Sequence, residues 1–102
     1  MTLQELADRI THNLQDKDVA EGLIDLHLTD MGHVHVDLAS RMATASADNL
    51  QGPNSYVEIS SDNLKKIRDG QLNPAMALMT RKIKVRGDLE LVGKVAKLMK
   101  SS

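Results

Sequence analysis

Between Gly22 and Leu38 the chain changes sides at every residue. Ile24, Leu26 and Leu28 alternate with Asp25, His27 and Thr29, and Val34, Val36 and Leu38 alternate with His33, His35 and Asp37. A period of two places all six aliphatic side chains on one face of a pleated ribbon and the polar ones on the other. Asp30-Met31-Gly32 divides the two runs and reads as a three-residue hairpin loop with Gly32 in the left-handed position. With that loop His27 stands opposite His35, and Asp25 stands opposite Asp37, a like-charge pair. A ribbon of this kind needs cover on one side only. That demands an antiparallel sheet with helices layered against one face.

The flanking segments supply the cover. Thr2 and Glu5 form a capping box, and Leu3, Leu6, Ala7, Ile10 and Leu14 follow at helical spacing. After the hairpin, Met42–Ala47 is a third strand of small residues, Asp48–Asn54 is a loop of turn formers, and Ser55–Ser60 is a fourth strand. A short helix spans Asp62–Asp69 with Leu64 and Ile67 facing inward, Ser60 or Ser61 at its start and Gly70 at its end. Asn73-Pro74 opens another, with Asn as cap and Pro at the first helical position. Lys82, Lys84 and Arg86 alternate with Ile83 and Val85 in a fifth strand. Gly87-Asp88 then turns into a final helix striped by Leu91, Val92, Val95, Leu98 and Met99. The expected fold is α+β: a five-stranded, mainly antiparallel sheet with helices over one face, in a single domain spanning residues 1–102.

Composition narrows the function. The chain carries 13 basic and 14 acidic residues, one Tyr and neither Phe nor Trp. A nucleic-acid binder would show a basic excess, and a single-strand binder would need aromatic platforms, so nucleic acid is not an expected partner. The absence of cysteine excludes disulfides, thiolate metal sites and cysteine nucleophiles. His27, His33 and His35 on one sheet face pose a metal question, against the plainer reading of a wet polar face. No G-x-S-x-G, H-E-x-x-H or phosphate-cradling glycine loop is present, and His12 falls on the polar side of its helix, so an enzyme is not expected and no cofactor is implied. The N-terminus lacks the basic and apolar regions of a secretion signal, and no apolar run approaches the ~20 residues of a membrane span, which suits a cytoplasmic protein.

One stretch is unusual. Met76, Leu78 and Met79 crowd into the short Asn-Pro helix, where a rigid core would favour branched or aromatic side chains. Methionine adapts to irregular space. These residues belong either to an ordinary core or to the wall of a space that a ligand fills.

The residues Asp69-Gly70, Asn73-Pro74, Lys82-Ile83-Lys84, Gly87-Asp88 and the apolar helix Leu89–Met99 together resemble the C-terminal half of the sterol carrier protein type-2 domain, and SYVEISSDNLKKI resembles the strand and helix that precede it. The resemblance is specific from about Tyr56 onward and extends to element order before it. It implies an apolar tunnel between sheet and helices and non-catalytic binding of sterols, fatty acids, fatty acyl-CoA or phospholipids. On that reading Met76, Leu78, Met79, Ile83, Val92, Val95 and Met99 line the tunnel. Arg81, Lys82, Lys84 and Arg86 meet an acidic headgroup or touch an anionic membrane transiently, where the plainer reading is a solvated edge. A dozen buried methylenes at about 0.8 kcal/mol each give roughly 10 kcal/mol, which offsets an association cost of ~4–15 kcal/mol and permits micromolar binding.

Two positions depart from the family pattern. The family often has Phe where Leu78 and Met79 stand, so the wall here is aliphatic. It often has Gly where Arg81 stands; a positive φ there would strain Arg, so a locally different turn is expected. The partners expected are a long-chain lipid and a monomeric or weakly homodimeric state. The competing reading is an accessory module that offers an apolar groove to a partner enzyme of lipid or quinone metabolism.

Overall fold

The computed structural model describes residues 2–15 and 21–100, the last five of these by backbone alone. Helix α1 (Leu3–Leu14) precedes strands β1 (Leu23–Leu28), β2 (Gly32–Asp37), β3 (Met42–Ser46) and β4 (Ser55–Ile59). Helices α2 (Ser61–Arg68) and α3 (Pro74–Met79), strand β5 (Ile83–Gly87) and helix α4 (Leu89–Lys100) follow. The strands form one sheet in the order β3-β2-β1-β4-β5. Neighbours run antiparallel except β1 and β4, which are parallel.

Local chemistry sets the helix starts. Thr2 Oγ1 accepts from Glu5 N at 3.1 Å, Ser60 Oγ from Asn63 N at 3.2 Å, and Asn73 Oδ1 from Ala75 N at 2.8 Å with Pro74 at the first helical position. Asp88 Oδ1 accepts from Leu91 N at 3.1 Å at the start of α4. The inward faces of the strands meet Leu6, Ala7, Ile10 and Leu14 of α1, Leu64 and Ile67 of α2, Ala77 of α3 and Leu91 of α4 in one apolar core. Helix α1 also closes an edge of the sheet. Thr11 Oγ1 accepts from Ala43 N at 2.9 Å, and Gln15 Nε2 donates to Arg41 O at 2.9 Å, so β3 does not present a bare ladder.

The parallel β1–β4 pair forces a crossover. From the end of β3 the chain must pass three strand spacings sideways and one strand length back, about 14 Å and about 17 Å, or ~22 Å in all. The nine Cα–Cα steps from Ser46 to Ser55 reach at most ~32 Å, so the Ala47–Asn54 segment is too short to hold the usual crossover helix, and it crosses as a bent, non-helical chain. It runs over the face that carries no helices and is tied down along the way. His35 Nε2 donates to Asp48 O at 2.7 Å, Leu50 N to Asp25 Oδ2 at 3.1 Å, and Leu23 N to Asn54 Oδ1 at 2.8 Å.

The hairpin register differs from the sequence expectation. His27 pairs with His33, Asp25 with His35, and Leu23 with Asp37, so the Asp25–Asp37 opposition does not arise. The loop is Thr29–Met31, and Gly32 already belongs to β2, opposite Leu28. Gly32 has φ +143°, and a Cβ there would lie 2.7 Å from Leu3 Cδ1, so α1 packs directly on it. A slip of two residues leaves every side chain on its original face, so alternation alone could not detect it.

The turn before β5 also differs from expectation. Arg81 adopts φ +59°, with Lys82 N bonded to Ala77 O at 2.8 Å to close α3. The geometry is the glycine-type one, held by a residue with a Cβ, at a cost of about 1–2 kcal/mol. Arg81→Gly is expected to raise stability by about 0.5–1 kcal/mol, after its greater unfolded-state entropy is subtracted, visible as a Tm higher by a few degrees. An unchanged or lower Tm would contradict the strain. At the same end of the sheet, Asp30 accepts from Ser61 N at 2.9 Å and from the Ser61 hydroxyl, and these bonds hold its carboxyl below the usual carboxylate range. The folded-state value is depressed, so the contribution is present above the unfolded carboxylate's pKa and is lost as pH falls through the lower folded-state value. Asp30→Asn should flatten that part of the acid limb in a Tm–pH series.

Candidate functional site

Between the sheet and its helices lies a cavity of about 60 Å³ whose lining residues are all apolar. Its floor is the inward face of the sheet: Ile24, Leu26, Val36, Val57, Ile59 and Ile83. Its roof comes from four helices: Ile10 of α1, Leu64 and Ile67 of α2, Pro74 of α3, and Val92 and Val95 of α4. With no polar group to hold a water, such a space is suited to hydrocarbon.

The roof is held unequally. Helix α1 buries four side chains, whereas α3 buries Ala77 alone, and α4 buries Leu91 with Val92 and Val95 partly covered among its described side chains. Each fully buried aliphatic side chain contributes about 1.5–3 kcal/mol, so α1 is the fixed part of the roof and α3 its weakly attached part.

The structure brings Ile83, Val92 and Val95 to the cavity wall. Met76, Leu78 and Met79 lie instead on the outer side of α3, with Met76 52% and Met79 78% exposed, because Ala77 is the residue this short helix turns inward. Met99 lies outside the described side chains. Ile10, Ile24, Leu26, Val36, Val57, Ile59, Leu64, Ile67 and Pro74 join the lining without having been singled out from sequence. Their inward periodicity marks them as interior, but a wall and a packed core have the same pattern.

The basic residues divide into two groups. Lys84 and Arg86 project to the helix-free face, opposite Glu58 and Tyr56, with Lys84 Nζ 3.6 Å from Glu58 Oε2. They stand across the sheet from the cavity. Arg81 and Lys82 are exposed beside the C-terminus of α3, on the route from the cavity roof to β5.

The histidine face is a set of internal hydrogen bonds. Asp25 is 1% exposed and accepts from His33 Nδ1 at 2.9 Å. The His33 ring stacks on His27 with centroids 4.2 Å apart, and His27 Nδ1 lies 2.8 Å from the Tyr56 hydroxyl. Tyr56 donates to Glu58 at 3.3 Å; partial burial first, and the Glu58 charge second, raise its phenol above the ordinary value. Among the described residues, no three His, Asp or Glu side chains converge as a metal shell.

Comparison with solved structures identifies the architecture as the sterol carrier fold. Sterol carrier protein 2 like 2 from Aedes aegypti superposes with a TM-score of 0.76 at 20% identity, over 93% of this chain and 94% of that one. Sterol carrier protein 2 from Aedes aegypti in complex with palmitate gives 0.78 at 18% identity, over 99% and 96%. The ubiquinone synthesis protein UbiJ-SCP2 gives 0.72 at 12% identity, over 97% and 93%. No curated protein matches the sequence. The profile of the SCP-2 sterol transfer family matches residues 3–100, and the chain belongs to that family. Membership implies a domain that takes up and transfers apolar lipid.

Cavity wall and outer helix surface respond differently to bulk. Val95→Trp would fill the space available to a ligand and should abolish fatty-acid binding, at a stability cost within about 1–3 kcal/mol. Met79→Trp, at an exposed position, should leave fatty-acid binding unchanged and stability within about 0.5 kcal/mol of the parent. Equal binding by the two variants would remove Val95 from the wall.

Proposed function

We propose that the protein is a non-catalytic cytoplasmic carrier that holds one long-chain apolar molecule, such as a fatty acid or its acyl ester, between the sheet and the α3–α4 part of the roof. The observation that carries this reading is the wholly apolar cavity beneath a roof that includes the lightly held α3, in a chain of the SCP-2 sterol transfer family. The palmitate complex of the Aedes aegypti protein supports an acyl chain as the ligand class.

At about 60 Å³ the cavity is smaller than the 150 Å³ space that accepts a benzene, so a long chain requires it to grow into a tunnel. Lifting α3 away from the sheet uncovers one fully buried side chain, Ala77, and the ligand's own methylenes, at about 0.8 kcal/mol each, cover the apolar surface that the helix leaves bare. Ile83, Val92 and Val95 then become ligand contacts, with Met99 at the far end of α4. Transfer is the reverse: the roof lifts and the chain leaves for an acceptor. The accessory-module reading is favoured by the likeness to UbiJ-SCP2. In that case the same groove stays empty until a partner enzyme of lipid or quinone metabolism covers it.

Native mass spectrometry of the purified protein, with solvent extraction of bound material, separates the two. A carrier should retain a long-chain lipid, or bind a fluorescent fatty acid one-to-one with micromolar affinity and a Tm that rises with ligand concentration. An empty protein that neither binds the probe nor shifts its Tm would defeat the carrier reading in favour of the module.

A further inference from the structure

We infer that the outer face of α3, with Arg81 and Lys82, is a docking surface for an anionic lipid bilayer and sets the cavity roof against the membrane. The inference rests on the carrier reading and adds where the exchange takes place.

Three of the five large apolar side chains exposed in the described structure, Met76, Leu78 and Met79, lie on this six-residue helix. The two cations that follow it, Arg81 and Lys82, are exposed, and among the described residues neither has an acidic partner in an ion pair. The charge around the patch is one-sided. Residues 70–82 contain two cations, Arg81 and Lys82, and no Asp or Glu, in a chain whose net charge is −1. A short apolar protrusion flanked on its C-terminal side by positive charge matches the boundary between anionic headgroups and acyl chains.

A protein partner fits less well. Six residues are too short to supply the i to i+7 anchors of a helix laid in a groove, and the patch has none of the aromatic side chains that dominate protein hot spots. Flexible thioethers suit a fluid surface that need not match their shape. The position suits exchange as well. Pro74 at the start of α3 and Ile83 just after its closing turn both line the cavity, so seating the helix in the headgroup layer brings the weakly held roof to the bilayer.

The test is sedimentation of the purified protein with vesicles containing about 30% phosphatidylserine, compared with vesicles of phosphatidylcholine alone. Binding should favour the anionic vesicles and weaken as salt is raised. Met79→Asp should abolish it. Arg81→Gln with Lys82→Gln should weaken it by roughly 25-fold, about fivefold for each cation near the surface. All these side chains are exposed, so the variants should keep the parent Tm, and Lys84→Gln, on the other face, serves as the control. Fatty-acid loading is measured separately from monomeric fatty acid in solution. Normal loading without anionic-vesicle binding would overturn the docking surface and leave the carrier intact; docking without loading would do the reverse. Vesicle binding that Met79→Asp leaves unchanged would overturn the inference, as would a concentration-dependent size abolished by Met79→Asp, which would make the patch a contact between copies of the chain.

Discussion

On the side of the sheet away from the helices, Asp25 is buried and accepts hydrogen bonds from both the His33 ring and the backbone of Leu50. A carboxylate removed from water is costly unless its oxygens are occupied, and here each has a donor. One bond belongs to the neighbouring strand and the other to the crossover, so the same group that must be satisfied also fixes the path of the Ala47–Asn54 segment. That path delivers β4 to the side of β1, in parallel. Without it the fourth strand has no reason to leave the growing edge at β3, and the cavity floor made by Ile24, Leu26, Val57 and Ile59 is not assembled. The polar face therefore builds the apolar one.

The two faces are kept separate by strand alternation. Ile83 and Val85 look toward the helices while Lys84 and Arg86 look away, so basic and apolar functions of β5 cannot serve one ligand. Positive charge that can act beside the cavity comes from Arg81 and Lys82, just past α3. The turn holding them is strained at Arg81, where glycine would be the relaxed choice. Methionine and leucine on the outside of α3 are the counterpart of the thin inner contact made by Ala77. A helix with one small residue inward has little attachment to lose when it moves.

This division of the roof links packing to function. A carrier must be stable when empty and must open without unfolding. On the proposed carrier reading, a firm α1, which also seals the edge at β3, and a light α3 meet both needs, because the part that closes the edge is not the part proposed to move. Stability in such a domain is distributed unevenly, with the ligand side drawn from its weaker end.

Local chemistry was enough to place the elements and their faces from the sequence. Alternation in the hairpin, the capping residues Thr2 and Asn73 and the Gly87-Asp88 turn depend on near neighbours, and each is found where the sequence puts it; of the two candidate caps Ser60 and Ser61, the structure uses Ser60. Family membership was legible from the linked motifs after Tyr56, and the profile match extends it to residues 3–100. Register and orientation were settled only on assembly. The hairpin register differs by two residues from the sequence expectation because the apolar pattern is unchanged by such a slip, and in the register that forms Leu3 packs on Gly32. Met76, Leu78 and Met79 went outward because a six-residue helix lying on a sheet can turn only one narrow side inward, and which side depends on how the chain enters and leaves it. Spacing along a chain records which side chains share a face; which face meets the core is settled only when the other elements are in place.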